Sequence, residues 1–80
     1  MSHKTTPDER LLIKLYETAL AAGDPCGEVD VRPVAKLLGL KETAVKNILK
    51  HLAQANFIKK VDANIVCLTK RGCEFVLENR

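Results

Sequence analysis

The chain has no tryptophan, one tyrosine and two phenylalanines, so aromatic residues make up only 4% of it. Its apolar content of 46% therefore comes mainly from Leu, Ile, Val and Ala. In 80 residues that suffices for one modest core, and the expectation is a single domain over residues 1–80. Cysteine is sparse too. Cys26, Cys67 and Cys73 form no C-x-x-C pair, and their odd number leaves one unpaired in any disulfide scheme. His3 and His51 are the remaining soft ligands, and no finger-like spacing links them to the cysteines, so no metal is expected. Structural thiols in a reduced, cytoplasmic protein are the expectation. No apolar run approaches the length of about eighteen residues that a membrane span needs, and no signal-peptide pattern is present. There is no Gly-rich phosphate loop and no nucleophile with a base at readable spacing, so neither an enzyme nor a cofactor is expected. Cys26 is the only thiol on an evident loop, and the sequence supplies no histidine or helix start to activate it.

What is present is helical periodicity and unevenly placed charge. The net charge is +3, but Lys41 to Arg71 holds seven basic residues against two acidic ones. That stretch carries +5 and leaves −2 for the remainder, the distribution that a polyanion partner requires.

Taken in order, Met1 to Thr5 reads as a short flexible tail. Thr6-Pro7-Asp8-Glu9 is a helix start with a capping box, a proline in the first turn and acidic residues at the positive helix end. Leu12, Leu15, Tyr16, Ala19 and Leu20 predict one apolar side, flanked by Leu11 and Ile13, up to about Ala22. Gly23 to Glu28 is a turn-rich linker. Asp24, Glu28 and Asp30 lack the ligand spacing of a calcium loop; Asp24 reads as turn chemistry and Asp30 as the next helix cap. A second helix is predicted over Val31–Leu38, with Val34, Ala35, Leu37 and Leu38 inward and Gly39 as its left-handed stop.

The third helix, Glu42 to Ala55, has Val45, Ile48, Leu49 and Leu52 on one stripe. Thr43, Lys46, Asn47, Lys50 and Gln54 fall on the opposite face, and Asn56 is the expected terminator. Two β-rich runs follow, Phe57–Val61 and Ile65–Leu68. They are joined by Asp62-Ala63-Asn64 in a three-residue loop that asks for a left-handed Asn64. This register pairs Val61 with Ile65 and Ile58 with Leu68. It puts Ile58, Val66 and Leu68 inward and Val61, Ile65 and Cys67 outward. Val29 can add a third strand. Thr69 can cap a last helix to about Glu78, with Phe75 and Val76 or Leu77 inward. The fold class expected is mainly α with a small β-hairpin.

This order of elements resembles the winged helix-turn-helix family of bacterial and archaeal transcriptional regulators. The resemblance is carried by A-K-L-L-G-L-K-E-T-A-V-K-N-I-L-K-H-L-A-Q-A-N-F-I, by Ala55-Asn56-Phe57-Ile58 in place of an Ala-Gly-Leu-Ile-like segment, and by Leu68-Thr69-Lys70-Arg71-Gly72 after the wing. It covers about Glu9 to Glu78. It implies a DNA-binding protein that docks its third helix in the major groove of double-stranded DNA. Position by position, it makes Thr43, Lys46 and Asn47 the residues facing base edges or nearby phosphates. Lys50, Lys59, Lys60 and Asn64 become phosphate contacts, with Lys41 at the helix start. Three departures stand out. Lys41 replaces a capping Ser or Thr, the recognition helix has no Arg, and the wing is short with no Arg at its tip. His51, beside the polar face, reads as a surface residue without a special role. The alternative is a protein-interaction or homodimer module using the outer face of the wing.

Overall fold

The computed structural model describes residues 6–79; the tail expected over residues 1–5 lies outside them. The chain forms α1 (Pro7–Ala21), β1 (Val29–Asp30), α2 (Val31–Leu38), α3 (Glu42–Gln54), β2 (Ile58–Lys60), β3 (Ile65–Leu68) and α4 (Lys70–Asn79). A three-helix core, a C-terminal helix and a small antiparallel hairpin make a winged-helix type of arrangement.

Helix α1 starts as its sequence dictates. The Glu9 amide donates to Thr6 Oγ1 at 3.2 Å, and the Thr6 amide donates to Glu9 Oε1 at 3.0 Å, which completes the capping box. Leu11, Leu12, Leu15, Tyr16 and Ala19 are buried. The three leucines are wholly inaccessible, and burial of each stabilises by about 1.5–3 kcal/mol. Leu20 departs from the expected stripe and is 45% exposed, because it sits about 100° round the helix beyond Ala19. Leu37 departs for the same reason. Val31, Val34 and Ala35 carry the buried side of α2, Leu38 is half-buried, and Leu37 turns outward at 74% exposure.

The first three helices end in one way. Among the described residues three have positive φ: Gly23 (106°), Gly39 (69°) and Asn56 (64°). Each directs two amides back onto the last turn. Gly39 N–H donates to Lys36 O and Leu40 N–H to Ala35 O; Asn56 N–H donates to Ala53 O and Phe57 N–H to Leu52 O. Gly23 and Asp24 do the same to Leu20 O and Ala19 O. These are Schellman motifs, which satisfy carbonyls that a helix end otherwise leaves orphaned. Asn56 serves where the resembled family has glycine. α3 itself ends at Gln54, one residue short of the expected Ala55.

The sheet has the order β1-β3-β2 and is antiparallel throughout. Ile58 faces Leu68, Lys59 faces Cys67 and Lys60 faces Val66, and Val61 N–H donates to Ile65 O at 2.9 Å. That is the expected register, although β2 is shorter than the predicted 57–61 run. β1 pairs Val29 with Val66 and Asp30 with Ile65, one bridge more than expected. The loop differs. Asn64 does not have positive φ, because its carbonyl accepts the Val31 amide of α2 at 2.9 Å. Val61 and Asp62 N–H both converge on Ile65 O, and the Asp62 carboxylate takes the Ala63 amide, so the turn closes without a left-handed residue.

Helix α4 is fastened by its first residues. The Thr69 amide donates to Phe57 O at 3.0 Å, its hydroxyl donates to Asn56 O, and Gly72 N–H donates to Thr69 Oγ1 at 3.1 Å. Gly72 is buried with its α-carbon against the Phe57 backbone. Phe57 and Phe75 stack at 4.8 Å between centroids, with the Arg71 guanidinium 5.8 Å from the Phe57 ring. Val76 supplies the fully buried side chain of α4, while Leu77 is exposed.

A test of this packing is Gly72→Ala. Helix propensity alone favours alanine by about 1 kcal/mol. However, a Cβ at position 72 would overlap the Phe57 carbonyl oxygen and stand 2.9 Å from its carbon. Overpacking against backbone dominates, and the expected outcome is a loss of about 2 kcal/mol or more in urea unfolding. An unchanged or raised midpoint would contradict the close approach.

Candidate nucleic-acid interface

Helices α2 and α3 each pack far more on α1 than on each other. They therefore diverge, and between them and the hairpin lies an open groove of about 980 Å³. Its floor is apolar, from Val31, Ala35, Leu40, Val45, Leu49, Ala53 and Ile58. Its rim is basic. Arg32 and Lys36 come from α2, Lys46 and Lys50 from α3, and Lys60 from β2, with Asn64 of the hairpin loop beside them. Glu42 is the one carboxylate on the lining.

The sequence-predicted residues divide into four groups. Lys46, Lys50, Lys60 and Asn64 come together on this groove. Thr43 and Asn47 are exposed on α3 but stand outside the lining, about 60° and 100° round the helix from Lys46. Lys41 is exposed at the start of α3, which has no side-chain cap, so its amides are left open there. Lys59 separates from Lys60. It lies opposite Cys67 in the ladder, on the outer ribbon face with Val61 and Ile65, whereas Lys60 lies opposite the buried Val66. Alternation along β2 forces two neighbouring lysines onto different surfaces.

Arg32 and Lys36 were not among the sequence-predicted residues. The sequence signal was there in weak form: two cations on the exposed side of α2, four residues apart. What it did not reveal is the divergence of α2 from α3, which turns that side toward the lysines of α3.

The cations differ in availability. Lys46 Nζ is 3.5 Å from Glu42 Oε1, but both side chains are mostly exposed, so the pair contributes at most a few tenths of a kcal/mol. Arg32 is held more firmly, with Nη2 2.7 Å from Asp30 Oδ2 and Nε 3.1 Å from Oδ1. Asp30 also accepts the Arg32 amide at 2.9 Å, which caps α2. Those bonds from the Arg32 side chain and amide hold the Asp30 carboxyl below its ordinary 3.8, and the same contact raises the Arg32 guanidinium. His51 Nδ1 lies 3.5 Å from Asp8 Oδ2, which places it on the α1 side of α3 and away from the groove.

Among the described residues, no three His, Cys, Asp or Glu side chains converge to hold a metal ion, and no helix is long and apolar enough to cross a membrane. No protein-family model, curated protein or solved structure matches the chain. The groove presents exposed cations over an apolar floor.

The Asp30–Arg32 contact gives a pH dependence with a definite sign. A carboxyl whose folded pKa lies below its unfolded value stabilises fully above about 3.8 and stops doing so as pH falls through the folded value. Asp30→Asn keeps a capping oxygen but loses the charge. Its stability deficit should be present at about pH 6 and shrink as pH falls below 3.8, in parallel thermal melts. A deficit independent of pH would show that the charge contributes nothing.

Proposed function

We propose that the chain is a DNA-binding module of transcriptional control, acting in the cytoplasm without catalysing a reaction. In this reading α3 enters the major groove, Thr43 and Asn47 approach base edges, and lysines from α3 and the hairpin hold phosphates. The observation that carries it is the convergence of Lys46, Lys50 and Lys60 on one groove beside the exposed face of α3. A helix fits the major groove, and amide and hydroxyl side chains match its donor and acceptor pattern. Arg32 and Lys36 extend the positive rim onto α2, where they would follow the same phosphate backbone. With no arginine in α3, most of the affinity would come from phosphates rather than from bases.

That balance is measurable. With about five phosphates neutralised, affinity for a short duplex should fall roughly 500-fold between about 50 and 200 mM salt, from a slope of about −0.9 per contact. Lys46→Ala with Lys50→Ala should lower the slope by nearly two units while leaving the circular dichroism and melting unchanged. Asn47→Ala should flatten base preference at one position and leave the slope intact. A folded protein with no salt-sensitive duplex binding at high micromolar concentration would falsify this reading.

One observation favours a second reading, a protein-interaction or homodimer surface. Val61 is 47% exposed on the outer ribbon face, with Ile65 and Cys67 half-buried beside it and Lys59 on the same side. An exposed apolar strip of this kind suits a partner. Val61→Asp should then abolish self-association in sedimentation equilibrium, or partner capture, and leave salt-dependent duplex binding intact. If the substitution leaves association untouched, the outer face is not the interface.

A further inference from the structure

Away from the groove, the fold brings together two cysteines that lie 47 positions apart in the chain. Cys26 Sγ and Cys73 Sγ are 3.3 Å from each other, in direct contact. Neither lines the groove, so their contact is independent of the DNA-binding reading. Cys26 is exposed in the turn between α1 and β1. Its amide donates to Asp24 Oδ1 at 3.0 Å, and the Gly27 amide donates to Asp24 O at 2.9 Å, so the turn presents the thiol in a fixed position. Cys73 sits in the first turn of α4, half-buried, with its amide bonded to Thr69 O and its sulfur 3.8 Å from Pro25 O. The backbone on both sides is thus held before any bond forms. Cys67 is a third thiol, half-buried on β3, and takes no part in the contact.

We propose that Cys26 and Cys73 are a paired thiol site that reacts with a low-molecular-weight disulfide to form an intramolecular disulfide, fastening the α1–β1 turn to α4. A sulfur–sulfur bond needs an approach to about 2.05 Å. Side-chain rotation in an exposed turn can supply that approach without moving a helix. The two thiols have distinct roles. Cys26 is accessible, and its thiolate attacks one sulfur of the reagent RSSR, forming Cys26–S–SR and releasing RS⁻. Cys73 then loses its proton to solvent, and its thiolate attacks the Cys26 sulfur and expels the second RS⁻. Two protein thiols are oxidised to one disulfide, and one RSSR is reduced to two RSH. Burial pushes the Cys73 thiol up to about 11, helped by its contact with Cys26 and by the nearby Asp24 and Glu74 carboxylates. Cys73 is therefore a poor first attacker and acts as the resolving thiol, where contact with the Cys26 sulfur replaces the need for a high thiolate fraction.

The bond would enclose β1, α2, α3, β2 and β3 in a single covalent loop. Closing a loop of that length restricts the unfolded chain and raises its free energy relative to the folded state. The oxidised protein should therefore melt higher by on the order of 10 °C.

The experiment treats the whole protein with bis(2-hydroxyethyl) disulfide and reads it by non-reducing mass spectrometry and thermal melting. The expected product is a monomer lighter by two hydrogens, with one peptide linking Cys26 to Cys73, free Cys67, and the raised melting temperature, all reversed by dithiothreitol. Cys73→Ser should trap the reagent on Cys26 as a stable adduct. Cys26→Ser, in an exposed turn, should remain folded and slow modification of position 73 at least tenfold. Persistent Cys26 adducts in the wild-type chain, linkage through Cys67, or intermolecular dimers as the main product would each overturn the pairing. So would equal modification of Cys73 with and without Cys26.

Discussion

The arrangement depends on the grip of Thr69 and Gly72 on the corner at Asn56 and Phe57. Thr69 gives its amide to Phe57 O, gives its hydroxyl to Asn56 O, and takes the Gly72 amide on the same hydroxyl. Gly72 lets the first turn of α4 lie against the Phe57 backbone with no side chain between them. One residue thus satisfies the end of α3, the exit of β3 and the start of α4. Each such hydrogen bond is worth only about 1 kcal/mol net. Their combined effect is geometric: they tie the end of α3 to the exit of β3 and the start of α4. The Leu-Thr-x-x-Gly segment is then a physical device, with Leu68 in the core, Thr69 as a three-way bridge and Gly72 as the point of close approach.

Most of this fold was legible because its boundaries are set by local chemistry. Thr6 with Glu9, Asp30, Thr69, Gly39 and Asn56 all act within a few residues of themselves, and all act as read. Departures arose where a tertiary contact decided. Leu20 and Leu37 lie one residue off the buried stripe, and periodicity alone does not fix to within one residue which side of a helix meets the core. Asn64 followed a helix amide from α2 instead of the local turn preference, and no local pattern announces that bond. For the candidate site, the lysines of α3 could be read from periodicity. The split between Lys59 and Lys60 was contained in the predicted register. The contribution of Arg32 and Lys36, and the meeting of Cys26 with Cys73, required the three-dimensional path of the chain.

The division between core and surface is unusually clean. No charged side chain is buried among the described residues, and no buried side-chain nitrogen or oxygen lacks a hydrogen-bond partner. Apolar packing therefore supplies stability, while the helix stops and the Thr69 bridge supply definition. Glu9, Asp24, Asp30 with Arg32, and Asp62 have structural duty at caps and turns, whereas Lys46, Lys50 and Lys60 on the groove rim are exposed and outside those caps and turns. Substitutions among the rim lysines can thus alter binding with little effect on folding, which makes the two separately measurable.

The Asn56–Thr69 bridge has a kinetic consequence as well. It spans only thirteen residues, so the loop it closes costs little entropy and forms on a short timescale. The end of α3, the hairpin and the start of α4 can assemble as one local unit. α1 differs, since its partners α2, α3 and α4 are all made later on the ribosome. Its leucine stripe must stay solvated, or be shielded, until the local unit presents a surface to receive it. The domain's vulnerable interval during synthesis is thus set by the distance between α1 and that bridge, and α1 is the segment a chaperone would meet.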